Sequence, residues 1–242
     1  MSNLFEFACR MGDNSLVLGH RVSEWCGVAP VLEEDIALAN IALDLIGQTQ
    51  LWLGLAAEIE GSDRDADALA FRRDVWDFRN LLLVEQPNRD FGHTMMRQFL
   101  FDAWHFEMLG ALKGSDHTQI SAIAEKSLKE VTYHLERSTD TVIALGDGTE
   151  ESHNRMQNAL ERLWPYVGEM FVNDDCDHID TSSLRPAFDA RLADVLCQAT
   201  LVQPDSTFTH KGGKTGARHT EALGHMLAVM QSLPRAYPDA KW

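Results

Sequence analysis

Apolar residues along this chain recur every three to four positions rather than every two, so almost every segment reads as helix. Residues 15–27 (SLVLGHRVSEWCG) form a first helical pattern that stops at Gly27-Val28-Ala29-Pro30. A second covers 33–60, with Leu38, Ile41, Leu45 and Leu51 at helical spacing, and ends in the polar break GSDRDAD. A third covers 69–83 and stops before Gln86-Pro87-Asn88, because proline disfavours helix at the residue before it. Further patterns cover 91–112 and 117–145. Gly146-Asp147-Gly148 is a turn, and Thr149 is placed to cap a helix over 150–171. An acidic loop, VNDDCDHIDTSS, precedes a helix at 185–201; the polar, Gly-rich stretch THKGGKTGARH then leads into a last helix at 219–233. The pattern predicts an all-α antiparallel bundle of two long hairpins with additional C-terminal helices, in a single domain over 1–242.

Composition narrows the function classes. The formal net charge of −16 argues against non-specific affinity for nucleic acid or anionic lipid, which needs clustered Lys and Arg. Cys9, Cys26, Cys176 and Cys197 are scattered without a CxxC pair, which excludes a zinc knuckle or dithiol motif and fits a reducing cytoplasm. The first residues, MSNLFEFACRMGDNS, lack the basic-then-apolar order of a signal peptide, and no uninterrupted apolar run reaches the ~18 residues of a membrane span. Gly213-Lys214-Thr215 looks like the end of a phosphate-binding loop. That motif needs glycine five positions before Gly213, where this chain has Phe208, and no strand precedes it.

The informative residues are carboxylates set in apolar helical stripes. Glu24 follows Val17 and Arg21; Asp44 shares a stripe with Asn40, Ile41, Gln48 and Leu51. Asp102 sits among Met95, Phe99 and Phe106, with His105 one turn on, and Glu130 lies with Lys126, Tyr133, His134 and Arg137. Burying a carboxylate costs several kcal/mol unless it is paired or ligates a metal. A di-iron carboxylate site would explain four such acids, since it takes a Glu from each of two helices and a Glu-x-x-His from each of the other two. The order of the acids fits, but the histidine positions hold Gly47 and Tyr133. Three explanations stay open: a polar network in which Arg21, Lys126, Lys129 or Arg137 pairs the acids, partial exposure of the acids to solvent, or a rearranged metal site that uses His105 and His134.

Six stretches carry a family resemblance: RMGDNSLVLGHRVSEWCG (10–27), DIALANIALDLIGQ (35–48), RNLLLVEQPNRDFGHT (79–94), DAWH (102–105), KEVTYHLERS (129–138) and GGKTGARHTEALGHMLAVMQ (212–231). Together the chain resembles the PaaC-type subunits of phenylacetyl-CoA 1,2-epoxidases over nearly its whole length. The resemblance implies a ferritin-like fold and a place in a cytoplasmic multicomponent oxygenase of phenylacetate degradation. It implies that a homologous di-iron subunit performs the epoxidation while this chain binds and stabilises that subunit without a metal or cofactor of its own. It further implies small accessory subunits and a reductase carrying FAD and an iron–sulfur cluster. On this reading Glu24, Asp44, Gly47, Asp102, Glu130 and Tyr133 mark vestigial metal-site positions, and no residue of this chain is catalytic.

Lys126, Lys129, His105 and His134 are the expected charge partners of the acids. Trp52, Trp76, Phe78 and Trp104 are candidates for the partner interface, since aromatics are enriched there, although a tryptophan in a helical bundle is more often a core residue. Lys211, Lys214 and Arg218 form a basic loop that is either a plain solvated turn or a contact for CoA phosphates or an acidic partner. A face evolved to pack on a homologous bundle is also suited to pairing with itself as a homodimer when alone. The competing readings are an active di-iron oxygenase using Glu24, Asp44, Asp102, His105, Glu130 and His134, and a ferritin-like iron-storage protein.

Overall fold

The computed structural model describes residues 2–238 and 240, and among these there is no strand. The chain folds as helices α1 (Asn3–Ser23), α2 (Leu32–Glu60), α3 (Ala66–Phe71), α4 (Leu82–Glu85), α5 (Phe91–Leu112), α6 (Thr118–Gly146), α7 (Glu150–Leu163), α8 (Arg185–Gln198), α9 (Glu221–Met230) and α10 (Ser232–Ala236). The antiparallel hairpins α1–α2 and α5–α6 pack together to make the bundle. Helices α7 and α8 lie against α5 and α6, and α9 and α10 close the chain as the expected C-terminal additions.

Local chemistry sets the helix limits. Ser2 caps α1 by accepting from the Phe5 N–H at 3.2 Å, and Asp90 caps α5 by accepting from the His93 N–H at 2.7 Å. Gly61, with φ +66°, ends α2 in the left-handed conformation. Pro165 lies where α7 gives way to 3₁₀ turns at Trp164–Tyr166 and Gly168–Phe171, so the helix expected over 150–171 is not continuous.

Two further expectations are corrected. Helix α1 starts twelve positions before residue 15, at Asn3. Arg10, Asp13 and Asn14 interrupt its apolar stripe in sequence, yet all three are buried against distant partners. The region read as a helix over 69–83 is instead the short α3, a 3₁₀ turn at Val75–Asp77, and the start of α4. Here α1 side chains take the place of helical carbonyls: Asp13 accepts from the Arg79 N–H and Asn14 from the Leu81 N–H, each at 2.8 Å.

Helix α2 is long and apolar enough, by length and composition, to cross a membrane. Half of its most apolar window is buried within this bundle, and Ile41, Leu45, Trp52 and Leu53 are core residues. Phe7 packs edge-on against Trp52 with ring centroids 6.1 Å apart, joining α1 to α2. Phe99 and Phe101 bring α5 into the same core, each fully buried side chain contributing about 1.5–3 kcal/mol. Gly12 permits the close α1–α2 approach, since a Cβ there would meet Leu53 Cδ2 at 2.7 Å.

Candidate functional site

The bundle centre gathers polar side chains from α2, α5 and α6. Asp102 on α5 is fully buried; it accepts from Gln98 Nε2 at 2.7 Å and from Ser138 Oγ at 2.8 Å. Burial pushes its carboxyl up to about 6, while His134, Ser138 and Gln98 act in the opposite direction. Buried His134 on α6 places Nε2 3.0 Å from Asp44 Oδ2, and Gln48 Nε2 donates to Glu130 Oε2 at 2.9 Å. These contacts link α2 to α6 through two of the acids singled out above.

His105 is almost wholly buried, and neither of its ring nitrogens has a hydrogen-bond partner among the described residues. Its ring packs between Phe101 and Trp104, with centroids 4.9 and 6.1 Å away. Burial, reinforced by His134, holds its pKa down to about 3, so the ring is neutral at physiological pH. His134 Nδ1, Gln48 Oε1, Gln98 Oε1 and Ser127 Oγ are likewise buried without partners.

This set does not fit a di-iron centre. Glu24 lies at the C-cap of α1, largely exposed, where it accepts from Arg21 at 2.9 Å and from Asn88 at 2.9 Å. Gly47 brings no ligand, and a Cβ built there would meet nothing within 4 Å. Tyr133 is 47% exposed, so its side chain is not committed to the interior. Among the described residues no three His, Cys, Asp or Glu side chains converge as metal ligands do. The inner carboxylate, Asp102, faces an amide and a hydroxyl instead.

The structure redistributes the expected charge partners. Lys126 and Lys129 are exposed on α6 and make no ion pair among the described residues, so they do not neutralise the central acids. Arg21 pairs with Glu24, Arg137 with Glu34, and His134 with Asp44. His105 faces aromatic rings rather than a carboxylate, although it adjoins His134 electrostatically.

The basic loop also differs from expectation. Its backbone forms an anion nest already filled by the protein's own Glu169, whose Oε1 accepts from the N–H groups of Gly212 and Gly213 at 2.8 Å each and from Lys214 at 3.4 Å. Glu169 Oε2 accepts from the Leu82 N–H at 2.9 Å. Lys214 is buried, with Nζ 2.6 Å from the Val172 carbonyl and 2.7 Å from Asp177. Arg10 joins it by pairing with Asp174 and Asp177. Lys214 is therefore withdrawn from any external phosphate, whereas Lys211 and Arg218 remain exposed. Of the aromatics considered for an interface, Trp52, Phe78 and Trp104 are core residues, and Trp76 alone is exposed, at 61%.

Sequence reading missed the polar network that joins the ends of the chain. Buried Glu85 accepts from the Thr220 N–H at 2.7 Å and from Asn80 Nδ2 at 2.9 Å, and contacts His219 Nδ1 at 2.5 Å. Arg21 donates to the Glu85 carbonyl at 3.0 Å and to the Ala222 carbonyl at 3.1 Å. Buried Arg97 donates to the Gln86 carbonyl, and to Asn88 at 2.7 Å. The signal was present in the polar stretches RMGDN, VEQPN and GARHTE, but a single sequence does not reveal which of them meet.

The comparisons with known proteins agree over the full length. A family model described as "Phenylacetic acid catabolic protein" matches residues 1–242. The C-type subunit of the 1,2-phenylacetyl-CoA epoxidase of Escherichia coli (strain K12) is 45% identical over 250 aligned residues, covering 100% of this chain and 100% of that protein.

Proposed function

The chain belongs to the phenylacetic acid catabolic protein family, and from that premise we propose that it is the non-catalytic partner subunit of a multicomponent di-iron monooxygenase. That complex epoxidises the ring of phenylacetyl-CoA. In this reading the iron is held by a homologous catalytic chain, small accessory subunits complete the assembly, and a reductase with FAD and an iron–sulfur cluster supplies electrons. The work takes place in the cytoplasm.

The observation that carries the reading is the chemistry of the bundle centre. Asp102 is satisfied by Gln98 and Ser138, while Gly47 offers no donor and Tyr133 is solvent-exposed. Glu24 is taken by Arg21 and Asn88. As placed, these side chains do not gather as carboxylate bridges and imidazoles around two adjacent irons, which supports a reading in which this chain contributes no oxygen-activating step. Its role is binding: a partner that associates only with the folded catalytic chain raises the population of that fold by mass action.

The outer face of α2 is the surface best suited to this role. Leu32, Ile36 and Leu43 are exposed there, and Gly47 and Gly54 have open space around them. Apolar side chains beside glycines let a partner helix approach closely, which an exposed charged face does not allow. Co-expression with the homologous chain tests the proposal. Co-purification, with activity that depends on both chains, is expected; ring epoxidation by this chain alone, given only the reductase, would overturn it.

A further inference from the structure

Outside the bundle centre, the loop before α5 and the outer side of α7 enclose a cleft of about 310 Å³ lined by Arg89, Asp90, His93, Arg155, Asn158 and Arg162. Three arginines in one cleft stand out in a chain of net charge −16. Arg89 and Arg162 are exposed and have no carboxylate partner among the described residues. Arg155 is held by Glu151 at 2.7 Å and lies 3.6 Å from Asp90. Beneath them His93 is only 4% exposed, and its Nδ1 is fully buried without a hydrogen-bond partner. Among the described residues no protein group bonds the other ring nitrogen either, so an almost wholly buried polar side chain lines the cleft with unmet hydrogen-bonding capacity.

The backbone supports this geometry. Arg89 adopts φ +55°, a left-handed conformation that non-glycine residues seldom take, and this turn leads directly into the N-terminus of α5. Gly92 lets α5 approach α7 there, since a Cβ would meet Met156 Sδ at 3.1 Å. The cleft therefore combines guanidinium groups and an imidazole beside the start of α5, whose N-terminus is already capped by the Asp90 carboxylate.

We propose that this cleft is a binding site for a phosphate monoester, with Arg89 and Arg162 as the anion's principal partners and His93 as a hydrogen-bond donor beneath it. Arginine is suited to such ligands because its planar fork donates paired hydrogen bonds to phosphate oxygens. A free phosphate ion and the phosphoryl groups of a CoA thioester share this chemistry. The site rests on its own geometry and does not depend on the epoxidase assignment.

The charges around His93 give binding its own signature. Arg89 and Asp90 face it from the loop, Arg97 from its own helix, and Arg162 from α7. Burial first, and then Arg97, Arg89 and Arg162, hold its pKa down to about 4 against the opposing influence of Asp90. A bound dianion offsets those cations, so the His93 pKa rises when the ligand binds.

The test is calorimetric titration of the purified full-length chain with inorganic phosphate and, separately, with coenzyme A, alongside NMR titration of the His93 ring. Arg89→Gln and Arg162→Gln, both at exposed positions, are each expected to weaken binding about 10-fold. Arg218→Gln, on the other basic loop, is expected to leave it unchanged. Coenzyme A binding at least about 10-fold tighter than phosphate identifies the phosphoryl groups of a CoA moiety as the source; equal affinities identify free phosphate. Absence of binding by either ligand at millimolar concentration, binding insensitive to both arginine variants, or an unmoved His93 titration would each overturn the proposal.

Discussion

Asp13 and Arg73, 60 positions apart, form an ion pair with both side chains removed from solvent. The guanidinium donates to both carboxylate oxygens, and Arg73 also stacks its cation over the Phe78 ring at 4.5 Å. The same carboxylate accepts from the Arg79 N–H, so one α1 residue organises the irregular connection that leads to α4.

Removing one partner of such a pair leaves the other charge buried and uncompensated. Asp13→Ala is therefore expected to destabilise the chain by about 3–5 kcal/mol, a loss of roughly 6–20 °C in thermal midpoint. Differential scanning calorimetry measures it. A change within about 0.5 kcal/mol, as for an ordinary surface substitution, would show that the pair does not organise this segment.

His105 sets an expectation for acid stability. Its folded pKa is lowered from 6.5 to about 3, so the unfolded state takes up a proton first as pH falls. Stability is then lost across the window from pH 6.5 down to about 3, by up to about 1.4 kcal/mol per pH unit. Asp102 acts in the opposite sense. Its pKa is raised from 3.8 to about 6, so its contribution is fully present below 3.8 and is lost as pH rises through 6. His105→Leu removes the first effect alone, and urea unfolding between neutral pH and pH 4 is expected to show a shallower acid slope than the parent chain. An unchanged slope would mean that His105 is not held neutral by its surroundings.

Gly47 separates stability from association. Nothing lies within 4 Å of a Cβ built there, so Gly47→Ala is expected to stabilise the isolated chain by about 0.5–1 kcal/mol through helix propensity. Leu43→Glu, one turn away at a position 70% exposed, is expected to leave the thermal midpoint nearly unchanged. It should weaken capture of the co-expressed homologous chain by about 10-fold. Undiminished capture would move the interface away from the outer face of α2.

Where the core stripe was uninterrupted, the sequence was readable: α5 was expected at 91–112 and is found at Phe91–Leu112, and α2 and α6 lie within a residue of their expected limits. Legibility failed where polar residues are buried. Arg10, Asp13 and Asn14 look like a loop composition, but each bonds a group more than 50 positions away, which no local period encodes. Of the central acids, Asp102 was correctly read as interior from its aromatic neighbours, whereas Glu24 turned outward because α1 ends just before it. Nothing near Lys214 in sequence announces Asp177, and its ammonium is nonetheless buried against that carboxylate.

The central claim is that this chain holds no metal centre of its own, and iron analysis tests it most directly. The chain is produced with excess iron, and its metal content is measured alone and after co-purification with the homologous chain. The isolated chain is expected to hold no stoichiometric iron, with iron and epoxidase activity found only in the two-chain preparation. About two irons per isolated chain, the content of a competent di-iron carboxylate bundle, would contradict the account and point to Asp102, His105 and His134 as ligands in a rearranged site.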